Sequence, residues 1–387
     1  MKTIIEVVSK SYDKHLEKVY GSAESAKFLG KPRMSIYNIY IFDFFFSVYS
    51  FFRSSLSWDD RNKPKYVFVN SRFKDIICSL DREHVVVMGG ITDVLFCIRN
   101  NIKFVWIGYL VKAFDIYHYY GRDKSYIKAL LLLERITCSN NRRHVFLWED
   151  TLKVGASLAC LFNKNKFIDT VCIQHGLLSF GSDLKPDGAV SNFNFFINSS
   201  QNKFFSNSSE KNSCVIGLPY DILIKPPLEK NIYLVGIGSS TSLIGNSMYL
   251  YSLWVYTKIQ KEFIKSGCKV YYRPHPTEDM SIYKSFFLNI ETAPKKNIFS
   301  ASLSTYIGFN STLLYEAGFF GNITIGINPS EASQYISDFD TSLTIDEKDI
   351  NQIVKKLNQY IAKKNKPSLQ KETINKRFLR CVNAVDL

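Results

Sequence analysis

Cys268-Lys269-Val270-Tyr271-Tyr272-Arg273-Pro274-His275-Pro276 (residues 268–276) is the stretch on which the reading turns. Its first half, Cys268 to Tyr272, is apolar and reads as a strand. The strand runs straight into an arginine and a histidine held between two prolines. The prolines fix the backbone around the imidazole and keep it off a helix. Further along, Phe309-Asn310-Ser311-Thr312-Leu313-Leu314-Tyr315-Glu316-Ala317 reads as a loop entering a helix. A cationic strand end paired with a hydroxyl-rich helix start is a way to hold a phosphate.

Working outward, the chain alternates strand-like and helix-like segments, which is the mark of α/β layering. Strands are expected at Tyr66 to Asn70, His84 to Met88, Lys103 to Ile107, His144 to Trp148, Thr170 to Ile173 and Phe193 to Asn198. Short, uniformly apolar strands of this kind suit a parallel sheet covered on both faces. Prolines between Gly217 and Leu228 mark a linker. A second series follows: strands at Asn231 to Val235, Cys268 to Tyr272, Thr305 to Gly308, Ile323 to Ile327 and Leu343 to Ile345, with helices over Tyr249 to Ser266 and Ile350 to Lys363. The expected domains are 1–225 and 226–387. Ligands of parallel sheets bind outside the carboxyl ends of the strands, and each polar motif here lies at such an end.

Composition narrows the class. The 387 residues are 46% hydrophobic and 22% charged, which describes a folded chain long enough for two domains. The net charge of +14 asks for an acidic partner. None of the eight cysteines forms a C-x-x-C pair, so reduced, buried thiols are expected rather than a zinc site or a disulfide framework. Met1 to Lys10 lacks the apolar region of a signal peptide, and the expected compartment is the cytoplasm. Ile36 to Phe52 is aromatic but short for a bilayer and contains Asp43, so a buried or interfacial segment is expected. The lysines around Lys355 to Lys371, with Lys376, Arg377 and Arg380, are either a solvated face or a dock for anionic lipid. No RNA- or DNA-binding signature appears, so nucleic acid is not expected as a partner.

The remaining motifs have two readings each. Glu149-Asp150 follows Trp148 at a strand end; the pair could divide the work of deprotonating and positioning an acceptor, or Asp150 could simply cap the next helix. Gln174-His175-Gly176 ends another strand, and His175 is a second candidate base or a locally satisfied histidine. Asn310, Ser311 and Thr312 suit a phosphate through free backbone N–H groups and two hydroxyls, or cap a helix; Glu316 lies one turn on, within reach of a ribose hydroxyl. Gly236-Ile237-Gly238-Ser239-Ser240 is a weak glycine loop without a full dinucleotide or P-loop fingerprint. Asp338-Phe339-Asp340 has the D-x-D form of metal-dependent glycosyltransferases but lies late in a polar loop, and no metal is expected.

An acidic pair after a strand, then His-Pro, then a Ser/Thr pair opening a helix resembles bacterial sialyltransferases of the polysialyltransferase and lipooligosaccharide sialyltransferase types. The resemblance covers roughly residues 145–320. It implies a GT-B fold: α/β, with two Rossmann-like domains whose parallel sheets face a central cleft. It also implies an inverting transfer of sialic acid, or a related nonulosonic acid, from a CMP-sugar to a capsule, O-antigen or lipooligosaccharide acceptor. Glu149 would be the general base. His275-Pro276 would contact the CMP phosphate, and Ser311-Thr312 would bind it. The residue reading adds Arg273, Asn310, Glu316, Gly238 and Ser239 to the expected nucleotide site. The donor is a substrate, so no cofactor is implied. The expected partners are the CMP-sugar, a glycan or glycolipid acceptor and an anionic membrane surface, with the enzyme peripheral on the inner face of the cytoplasmic membrane. Thr151 departs from the family, which has glycine after the acidic pair. Gln174-His175-Gly176 is similar to the His-Gly element of CDP-glycerol glycerophosphotransferases, which would make His175 the base. Kdo transfer is a further alternative. A non-catalytic basic protein that binds membrane or nucleic acid is the alternative from another class.

Overall fold

The computed structural model describes residues 2–20, 38–42, 44–45, 48, 64–137, 141–149, 153–174, 191–199, 201, 212–219, 228–236, 246–275, 278, 291–292, 303–309, 311–328, 341–363 and 372–385. The chain divides into two compact units. The first comprises Met1–His175, Lys185–Tyr220 and Ile374–Leu387; the second comprises Gly176–Leu184 and Asp221–Thr373.

The first unit is built on a parallel sheet of order β3-β2-β1-β4-β5-β6-β7. Its strands are β1 (Tyr66–Val69), β2 (Val85–Gly89), β3 (Lys103–Trp106), β4 (Arg143–Leu147), β5 (Ile168–Ile173), β6 (Phe193–Phe196) and β7 (Ser213–Val215). Its helices are α1 (Lys2–Tyr20), α2 (Lys74–Ser79), α3 (Ile91–Asn100), α4 (Gly108–Tyr120), α5 (Lys124–Thr137) and α6 (Lys153–Phe162). Successive strand residues point to opposite faces. Val67, Val69, Val86 and Met88 therefore pack with α1, α4, α5 and α6. Phe68, Val85, Val87 and Phe146 pack on the other face with α2 and α3. Apolar residues on both sides explain why these strands read as continuous runs.

The second unit repeats the plan. Its order is β10-β9-β8-β11-β12-β13, with every pair parallel. The strands are β8 (Leu228–Val235), β9 (Lys269–Arg273), β10 (Glu291–Thr292), β11 (Leu303–Gly308), β12 (Ile323–Asn328) and β13 (Leu343–Asp346). The helices are α7 (Asn246–Lys265), α8 (Thr312–Phe319) and α9 (Ile353–Lys363). Counted from its own first strand, each sheet runs 3-2-1-4-5-6, with a seventh strand added at the end of the first, so each reverses direction between strands one and four. In the first unit that point lies between β1 and β4, and in the second between β8 and β11.

The last helix, α10 (Ile374–Val385), belongs to the first unit, whereas the sequence reading ran the second domain to residue 387. Ile374, Phe378, Cys381, Val382 and Val385 enter the core beneath β1, β2 and β4. Arg377 is buried too, and its guanidinium donates to the carbonyls of Ile216 and Leu218 at 2.6 and 2.9 Å. What reads as a basic tail is thus half core, because the cations fall between apolar residues at helical spacing. Lys356 on α9 is held by Asp349 at 2.8 Å. Cys381 is joined to Cys214 of β7, against the expectation that every thiol is reduced. Among the described residues, no helix is long and apolar enough to cross a membrane. Of the aromatic segment, Ile39 is buried while Tyr40, Ile41, Phe44 and Phe45 are exposed.

Candidate active site

In the first unit, Glu149 lies just beyond β4, beside the reversal point. It is half-buried. A Cβ on Gly155 would fall 1.9 Å from the Glu149 carbonyl oxygen and 3.0 Å from its carboxylate, so glycine at this place in α6 is what lets Glu149 lie against the helix. The start of α6 is anchored as well. Lys153, with a left-handed φ of 25°, places its ammonium 2.8 Å from Asp115 of α4 and 4.7 Å over the Tyr12 ring of α1. Trp148 carries the Arg72 guanidinium over its ring at 5.0 Å. Asp150 lies outside the described residues.

Asp93 fastens the neighbouring strand ends. One carboxylate oxygen accepts from the Ser71 amide and hydroxyl, both at 2.7 Å, just past β1. The other accepts from the Gly90 amide, just past β2, at 2.8 Å. On the far side of β4, Gln174 ends β5. Its amide donates to Gln201 at 2.6 Å and accepts from the Ile197 amide at 3.1 Å. That fixes the residue before His175, which itself lies outside the described residues. A polar cavity of about 440 Å3, lined in part by Asn163, Lys166, Asp169, Asn192 and Asn194, opens at the opposite, amino ends of β5 and β6.

In the second unit, the sequence-predicted phosphate site is partly assembled. Arg273 is the last residue of β9, and its carbonyl accepts from the Gly236 amide, just past β8, at 2.8 Å. The His275 amide donates to Glu278 at 2.9 Å, and the Tyr272 hydroxyl donates to the same carboxylate at 3.1 Å. The Glu278 amide in turn donates to the His275 carbonyl at 3.0 Å. The histidine is therefore presented on a closed turn with its ring exposed. The protein around it still desolvates the imidazole enough to lower its pKa below the usual 6.5. A Cβ on Gly236 would lie 2.6 Å from the His275 nitrogen and 2.7 Å from the Glu278 carboxylate, so only glycine admits this turn.

Ser311 is the N-cap of α8, and its hydroxyl oxygen accepts from the Leu313 amide at 3.3 Å. The capping role is therefore real, and the hydroxyl proton stays available to a ligand. Thr312 is the first residue of α8, and Glu316 lies half-buried one turn on. Tyr256 of α7 ties this end of the sheet together. Its buried hydroxyl donates to the Val235 carbonyl at 2.6 Å and accepts from the Phe309 amide. Burial raises its pKa well above the usual value, so it stays a neutral link between β8 and β11. Gly238, Ser239, Pro276, Asn310, Asp338 and Asp340 lie outside the described residues.

Sequence reasoning missed Asp93, Glu278 and Tyr256. A carboxylate three residues after a strand-end amide has the spacing of a capping box, and that signal was available for Asp93 and Glu278. Tyr256 gives none, since its partners are two backbone groups distant in sequence.

No protein-family model matches the sequence, and no curated protein matches it. Solved structures do. A putative UDP-N-acetylglucosamine 2-epimerase from Listeria monocytogenes is similar at TM-score 0.51 and 11% identity, over 84% of this chain and 96% of that one. A glycosyltransferase from Rickettsia africae gives TM-score 0.47 and 9% identity over 84% and 94%. A structure of the wall teichoic acid polymerase TagF with CDPG gives 0.42 and 11% over 87% and 88%. The likeness concerns the fold: tandem α/β units with parallel sheets, as in GT-B proteins.

Proposed function

We propose that this protein is a glycosyltransferase that moves sialic acid, or a related nonulosonic acid, from a CMP-sugar to a surface glycan with inversion at the anomeric carbon. The observation that carries the reading is the placement of its polar motifs at the two sheet reversals. Glu149 stands at the β1/β4 reversal, and the Arg273–His275 turn and Ser311 gather at the carboxyl ends of β9, β8 and β11. Such reversals are where parallel sheets take ligands.

The roles follow from the chemistry. Glu149 takes the proton from the acceptor hydroxyl as that oxygen bonds to the anomeric carbon. The bond from that carbon to the donor phosphate breaks, and CMP leaves with the electron pair. The imidazole of His275, the Ser311 hydroxyl and the positive start of α8 neutralise the charge that grows on the phosphate. Glu278 holds the His275 amide and so fixes the backbone that carries the ring. The test is a melting series with CMP, CDP, UDP and GDP in EDTA, since a nucleotide bound only to the native state raises the midpoint. CMP should give the largest shift. No shift with any cytidine nucleotide would remove this reading.

A second reading is favoured by the anchoring of Gln174. It fixes the strand end that carries His175, and His175 would be the base in a glycerol-phosphate transfer from CDP-glycerol. A larger shift with CDP than with CMP supports that alternative.

A further inference from the structure

α3 carries its apolar residues on the wrong side for a helix packed on a sheet. Cys97 is fully buried against the core, yet Ile91, Leu95 and Ile98 are 68%, 48% and 62% exposed. Spaced i, i+4 and i+7, these three form one stripe on the helix face turned away from Cys97. β3 extends the surface. It is the edge strand of its sheet, and Phe104 is 39% exposed. Phe104 pairs with Val87, which faces the α3 side of the sheet; Val105 pairs with Met88, which faces the other. Trp106, at the strand's end, meets the Tyr109 ring of α4 at 5.6 Å, and Tyr109 belongs to the core on the other side of the sheet.

The border of this face is cationic. Arg99 is exposed beside the stripe, and the Lys74 ammonium lies 5.6 Å over the ring of Phe96 on α3. The one carboxylate on α3 and β3, Asp93, is committed inward to Ser71 and Gly90. We propose that the face formed by α3 and β3 is where this chain docks on an anionic lipid bilayer. Apolar side chains with flanking cations match the boundary between acyl chains and acidic headgroups. A second copy of the chain fits less well. Pairing this face with itself would bring Arg99 and Lys74 against their own copies in a chain of net charge +14. The inference uses no residue of the proposed catalytic site and does not depend on the transferase reading.

The test is sedimentation of the full chain with phosphatidylcholine vesicles, with and without phosphatidylglycerol, at low and high salt. The wild type should bind only the anionic vesicles, and less at high salt. The triple variant I91Q/L95Q/I98Q should lower partition at least 10-fold with an unchanged melting midpoint, because exposed positions tolerate substitution. The double variant K74E/R99E should also weaken binding, which gives a second test should the triple variant fold poorly. The proposal is overturned if the wild type ignores anionic vesicles, or if both variants bind as the wild type does. A wild-type dimer that the triple variant dissociates, without any change in vesicle binding, would assign the face to a second copy.

Discussion

Asp93 in the first unit and Glu278 in the second occupy matching places in a repeated plan. Each follows the strand that neighbours its sheet's reversal pair: β2 in one unit, β9 in the other. Each ties that strand's end back on itself. Asp93 takes the Gly90 amide, and Glu278 takes the His275 amide and the Tyr272 hydroxyl. Each needs a glycine for room. A Cβ on Gly89 would lie 2.2 Å from the Asp93 carboxylate, and one on Gly236 would lie 2.7 Å from that of Glu278. The difference is what the staple carries. Asp93 binds Ser71 and backbone and completes a loop. Glu278 presents an exposed histidine. One supersecondary device thus serves as scaffold in one unit and as mount for an exposed histidine in the other.

The sharpest test of this division of labour is Glu149→Gln. Loss of a general base typically costs about 100- to 10,000-fold in turnover. Nucleotide-induced stabilisation should stay intact, because a base acts on the acceptor and the residues proposed to hold the donor lie in the second unit. Steady-state transfer assays read alongside melting shifts decide it. If the variant stays active while His175→Ala is dead yet still stabilised by nucleotide, the base and the donor class both move to the second reading.

His275→Ala should lower turnover on the order of 100-fold with little change in melting midpoint, since the ring is exposed. Near-wild-type turnover at saturating donor would detach the histidine from the phosphate.

Gly236→Ala and Gly89→Ala test the two staples against each other. Each should cost about 1–3 kcal/mol in stability from forced displacement. Only Gly236→Ala should also weaken nucleotide binding, by roughly 10-fold (about 1.4 kcal/mol), because only that staple holds His275. Calorimetric titration with CMP separates them; equal affinities would break the comparison.

The smallest effect is in pH. Desolvation lowers the His275 pKa in the free chain, and a bound phosphate should raise it again. Binding should then take up protons. The affinity advantage of the wild type over His275→Gln should grow as the pH falls from 8 and flatten below the free-chain pKa. For stability the sign is opposite. A folded pKa below the unfolded 6.5 means that the unfolded chain holds more protons, so this group's contribution falls as the pH drops below 6.5 and levels off once the folded pKa is passed. A flat wild-type advantage would mean that the imidazole does not meet the phosphate.

Much of this was legible in one dimension. Uniform apolar runs such as Val85–Gly89 announce a sheet buried on both faces, and the prolines around His275 announce a fixed turn at a strand end. These signals are local, since they depend on side-chain period and on backbone φ alone. α10 was not legible as core: its basic residues mask apolar ones at helical spacing, and its partners Phe68 and Phe146 lie hundreds of residues earlier in the chain. Nor was the pairing of Cys214 with Cys381, across a separation of 167 residues.

The sequence by itself determined that polar motifs close apolar strands, because strand ends are written in period and punctuation. Only the tertiary structure decided which strands lie side by side. Pairing β1 with β4 and β8 with β11 creates the two reversals, and strand order is a matter of long-range backbone hydrogen bonding that no local pattern encodes. The same holds for Tyr256. Its worth lies in two backbone groups at other strand ends, those of Val235 and Phe309, brought together only when the sheet has formed.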